Sequence, residues 1–135
     1  MKDQLLTTLR KSRDYSLAVA EAMPGNDYTL KPEGAGWNFA QLISHMAYGI
    51  GWWKDNFILG TETEWLEPKL NGGKKELIDQ LKAAYNSLEG VLESLELNED
   101  KIYGFFATTD HLTHHRAQAV IYLRTRGITP PEYSF

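Results

Sequence analysis

The chain has 135 residues, 14 basic and 18 acidic side chains, a net charge of −4, no basic run and no cysteine. That balance argues against a nucleic-acid partner, and the lack of cysteine leaves only histidine and oxygen ligands for any metal. No stretch approaches the ~20 apolar residues of a membrane span and the start, Met-Lys-Asp-Gln-Leu-Leu, lacks a signal-peptide core, so one cytoplasmic domain over residues 1–135 is expected.

Residues 3 to 23 carry Leu5, Leu6, Leu9, Leu17, Ala20 and Met23 at near-helical spacing and predict a first amphipathic helix, stopped by Pro24 and Gly25. The Gly, Pro, Asn and Asp content from Gly25 to Gly36 predicts a connecting loop, pinned to the body by Tyr28 and Leu30.

Asn38 suits the N-cap of a second helix running to about Phe57, with Trp37 stapling it to the core. Phe39, Leu42, Ile43, Met46, Ile50, Trp53 and Phe57 form its apolar face. Gln41, His45, Tyr48, Gly49, Trp52 and Asn56 fall on the other side. Gly49, one turn after His45, costs ~1 kcal/mol relative to Ala in a helix interior, and space beside the histidine would justify it.

Residues 58 to 73 read as a loop, and Trp65 and Leu66 suggest that it folds back as a lid or a dimer contact. A third helix is predicted from about Lys75 to Glu96, with Leu77, Leu81, Ala84, Leu88, Val91 and Leu95 facing inward. After a turn from Leu97 to Asp100, the last helix should begin between Tyr103 and Asp110 and end at Gly127. Arg116, Arg124 and Arg126 read as dipole partners and solvated ends. Nothing alternates as a strand, so the fold class is all-α, a four-helix bundle.

The last helix carries Asp-His-Leu-Thr-His-His-Arg-Ala-Gln from Asp110 to Gln118. At ~100° per residue, His111, His114, His115, Gln118 and Tyr122 fall on one stripe. An inward row of imidazoles loses solvation unless each finds a partner, which a metal ion would supply. His111 and His115, four apart, can converge on one ion at ~2.0 to 2.1 Å, with His111 and His114 as the rival pair. Adding His45 from a facing helix gives three neutral ligands and an open coordination position, which is the catalytic kind of site. All-histidine ligation allows Zn, Ni or Cu, and cellular supply puts zinc first.

The bland alternative has the same histidines satisfied by Gln41, Gln118 or backbone carbonyls, rigidifying a bundle without metal. Singly, His114 reads as a surface or supporting group and Asp110 as a helix cap or, less simply, the orienter of an imidazole. Tyr48, Trp52 and Tyr122 read as packing residues that could line the open side of the site. No side chain is singled out as the catalytic acid or base.

With Trp37-Asn38, His45-Met46, His111 to Gln118, Tyr122-Leu123-Arg124, Gly127 and Pro130-Pro131 assembled, the chain resembles the DinB/YfiT-like family of metal-dependent proteins over nearly its whole length. It departs from the family pattern at Ala117, where many members have Gly, and in the Phe- and Thr-rich segment from Phe105 to Asp110. The resemblance implies an up-down-down-up bundle, often a homodimer, with the three metal ligands at His45, His111 and His115. It also implies a thiol transferase joining a low-molecular-weight thiol, such as bacillithiol or mycothiol, to a small-molecule electrophile. A metal-dependent hydrolase on the same site and a non-catalytic metal-binding bundle are the rivals. No acidic residue stands at helical spacing beside a ligand, which favours a thiolate nucleophile over a water needing a separate base.

Overall fold

The computed structural model describes residues 1–134; Phe135, the last residue of the expected domain, lies outside them. Four helices, α1 (Lys2–Ala22), α2 (Phe39–Trp53), α3 (Lys74–Ser94) and α4 (Glu99–Thr125), account for most of the chain, and no strand occurs among the described residues. None of these helices is long and apolar enough to cross a membrane.

Cross-helix contacts fix the directions. Lys2 reaches the Glu93 carbonyl and Lys74 the Glu21 carbonyl, so α1 and α3 are antiparallel. The Tyr122 hydroxyl donates to the Trp37 carbonyl at one end of the α2–α4 pair, and Gly104 meets the Phe57 carbonyl at the other, so these are antiparallel too. Arg116 of α4 contacts Ser12 of α1 alongside Thr8 and Thr113, which makes α1 and α4 parallel. The bundle is therefore up-down-down-up.

Parallel α2 and α3 require a return connection along the bundle. The 20 residues from Phe39 to Ile58 rise about 30 Å. An extended chain over residues 59–73 reaches up to about 50 Å, enough to make the journey outside the core.

The starts of α2 and α4 have local causes. Asn38 and Gln41 form a reciprocal capping box, with Gln41 N donating to Asn38 Oδ1 and Asn38 N to Gln41 Oε1. Asn38 thus caps α2 as expected, but α2 ends at Trp53 and passes into a π-helical turn, Lys54–Ile58. The widened turn rotates Phe57 off the apolar face: it is 40 % exposed and stacks on Trp53 at 4.5 Å.

The expected start of α4 is corrected by a full turn or more. Asn98 accepts from Lys101 N, Glu99 and Asp100 occupy the first turn, and the helix begins at Glu99. Asp110 is consequently mid-helix and caps nothing.

The core comprises Leu5, Leu9, Val19 and Ala20 of α1, Phe39, Leu42, Ile43, Met46 and Ile50 of α2, and inward residues of α3 and α4. In α3 the buried line runs Leu77, Leu81, Tyr85, Leu88 and Leu92; Ala84, Val91 and Leu95 are only partly buried against it. Tyr85 can occupy the interior because its hydroxyl meets Ser12 and Ser16 of α1.

Candidate metal centre

α2 and α4 bring His45, His111 and His115 together, with one ring nitrogen from each within 4.8 Å of the others. His45 Nε2 stands 3.1 Å from His111 Nε2 and 3.0 Å from His115 Nε2. Three nitrogens ligating one tetrahedral ion at their usual distance stand about 3.3 Å apart, and both spacings from His45 lie close to that. His114, on the same helix, is exposed, stands edge-on to the His115 ring at 4.8 Å, and is not one of the three clustered histidines.

The outer nitrogens decide what the inner ones can do. His45 Nδ1–H donates to Glu67 Oε2 at 2.9 Å, and His115 Nδ1–H donates to Gln118 Oε1 at 2.8 Å. With those protons on Nδ1, the Nε2 atoms of His45 and His115 face each other 3.0 Å apart, and in the neutral form of both rings each is a lone-pair acceptor. Two acceptors at that distance repel unless a proton or a metal ion lies between them. This is the arrangement of metal-bound imidazoles steadied by a carboxylate and an amide. Of the groups that would satisfy the rings without metal, Gln118 engages an outer nitrogen, whereas Gln41 is occupied by the α2 cap.

Burial is the main force favouring the neutral form of His111 and His115. It pushes the His111 imidazole down to about 4, reinforced by His115 and His45, and it lowers His115, with Gln118 and Glu67 opposing. A neutral imidazole is the ligating form.

Aromatic rings box the cluster. Trp37 lies 4.4 Å from His45 and 5.6 Å from His115, and so does more than staple α2. Trp53 lies 6.1 Å from His111. Trp65, from the return loop, lies 5.4 Å from His45 and 6.2 Å from His111. The loop is tied down by Asn56, which holds both the Thr63 amide and hydroxyl, by Trp52 Nε1 donating to the Thr63 carbonyl, and by Leu66 N donating to the Tyr48 hydroxyl.

Tyr48 and Trp52, read from the sequence as packing residues that could line the site, thus anchor the loop that carries Trp65. Tyr122 does line a cleft, of about 540 Å³, together with Trp37, Ile121, His115 and Gln118. A smaller one of about 300 Å³ lies on the other side of Trp37, against Glu67 and Gln41. His115 is thereby reachable from outside the bundle.

Glu67 is the functional residue that sequence reasoning missed. It sits in a loop without periodicity, 22 residues from the imidazole it holds.

The DinB superfamily model matches residues 8–119, a span that includes all three clustered histidines. No curated protein matches the chain.

Proposed function

Because the chain belongs to the DinB superfamily, we propose that it is a single-domain metal-dependent enzyme whose ion, zinc or nickel, is held by His45, His111 and His115. The observation that carries this reading is the convergence of His111 Nε2 and His115 Nε2 on His45 Nε2, at 3.1 and 3.0 Å, with the outer nitrogens of His45 and His115 engaged by Glu67 and Gln118. The donor set is three neutral nitrogens, so a bound dication keeps its full charge and lowers the pKa of a thiol or water presented to it.

The reaction we favour is transfer of a low-molecular-weight thiol to a small electrophile. Glu67 and Gln118 orient the ligand rings, Trp37 and Trp65 keep water from two sides, and the cleft beside His115 and Tyr122 admits the reactants. We read the active form as a cytoplasmic homodimer.

Hydrolysis on the same site is the second reading, and Glu67 is what favours it. A carboxylate does stand at the cluster, bonded to His45 and 29 % exposed, where it could also take a proton from a water.

The deciding experiment loads the purified chain with zinc or nickel, confirms one ion per chain by elemental analysis, and follows thiol consumption with a model electrophile. Thiol-dependent turnover that chelation abolishes and metal restores is expected. Turnover that survives metal removal overturns the metal-dependent reading, ester cleavage without thiol selects the hydrolase, and a metal that only raises the melting temperature selects the non-catalytic bundle.

A further inference from the structure

Arg116 follows His115 in sequence but turns into the groove between α1 and α4. It is 7 % exposed, not the solvated end its place in the sequence suggested; by contrast Arg126 pairs with Asp27 at the surface. A cation withdrawn this far from water normally meets an opposite charge. Among the described residues Arg116 has none: no ion pair includes it, and its guanidinium makes one hydrogen bond, from Nη1 to Ser12 Oγ at 3.2 Å. Its charge is otherwise met by the Tyr15 and Tyr133 rings, 5.1 and 5.6 Å from the guanidinium carbon.

The side chain borders a cavity of about 210 Å³ whose other walls include Lys11, Thr8, Ser12, Thr109 and Thr113. No lining residue is acidic, although the chain as a whole is. Two cations and seven hydroxyl-bearing side chains line it with no carboxylate among them; Ser12 and Thr109 already bond to the Tyr85 hydroxyl and the Phe106 carbonyl, which leaves Thr8 and Thr113 to offer donors to a guest. Arginine's fork of five N–H groups suits an oxyanion, and hydroxyls that turn freely suit a tetrahedral one.

We propose that this cavity binds a tetrahedral oxyanion of the phosphate class, anchored by Arg116, with Lys11 at its rim and Thr8 and Thr113 supplying further donors. The site is separate from the histidine cluster, lies in a different helix–helix groove, and does not depend on the metal reading.

The test is calorimetric titration of the full chain, metal-free and at constant ionic strength set with chloride, using inorganic phosphate in one arm and glycerol phosphate in the other. Saturable binding is expected, weakened at least about tenfold by Arg116→Gln and at least about threefold by Lys11→Gln, and unchanged by His45→Ala. Tighter glycerol phosphate assigns the site to phosphate esters and tighter inorganic phosphate to the free ion. No saturable binding below about 10 mM, or equal binding by Lys11→Gln, overturns the proposal. So does loss of binding in His45→Ala, which would put the anion at the histidines. Lys11 is exposed, so its variant decides the matter even where Arg116→Gln fails to fold.

Discussion

Gly49 packs against the His111 ring so closely that a Cβ added there would stand 2.5 Å from Cε1 and 2.9 Å from Nδ1. The helix-weakening glycine in α2 is the space the imidazole of α4 occupies. Gly49→Ala should strengthen α2 locally by up to ~1 kcal/mol yet displace the ring from the point shared with His45 and His115. Zinc affinity, measured by competition with a chromophoric chelator, is expected to fall at least about tenfold while the helical circular dichroism is kept. Wild-type affinity in this variant would show that His111 is not held by that contact.

His45→Ala, His111→Ala and His115→Ala should each abolish stoichiometric metal binding, whereas His114→Ala, at an exposed ring, should retain it. Elemental analysis after dialysis reads this directly. Retention by any of the first three variants would remove that residue from the ligand set.

Removing the carboxylate that steadies His45 should cost about 10- to 100-fold in metal affinity, the usual effect of losing an orienting partner. Glu67→Ala is the variant, and Glu67→Gln, whose amide oxygen can still accept from Nδ1–H, should recover part of the loss. Equal affinities across the three proteins would mean that the 2.9 Å contact does not position the ring.

Stability of the metal-free protein should depend on pH through His111. Its imidazole titrates near 4 when folded against an ordinary value of 6.5, so between these values the unfolded chain binds a proton that the folded chain does not. Unfolding then takes up a proton, and stability falls as pH drops through that window. Above about pH 6.5 both states are neutral and the contribution is flat. Urea midpoints at several pH values from 7 to 4 check this, and His111→Asn should reduce the slope.

Helices with one apolar stripe were legible in the sequence because burial enforces periodicity on them; α1, α2 and α3 fall within a few residues of their expected bounds. The start of α4 was not. That helix faces polar clusters on two sides, the histidines toward α2 and Thr109, Thr113 and Arg116 toward α1, so its apolar positions do not form a single stripe. Its opening signal, Asn98 before Glu99 and Asp100, depends on capping alone. The histidine trio was readable because two of its members share a helix face and Gly49 marks the third's helix. Trp65 and Glu67 follow no period, and their approach to His45 is set by the parallel α2–α3 pair, which no local pattern encodes.

None of the residues 59–73 is buried, so the four-helix core takes almost nothing from them. Away from Trp65 and Glu67, substitutions and insertions along this stretch should therefore cost the fold little while reshaping the approach to the imidazoles. In this architecture access to the histidine cluster and the foldability of the bundle are written in different parts of the chain.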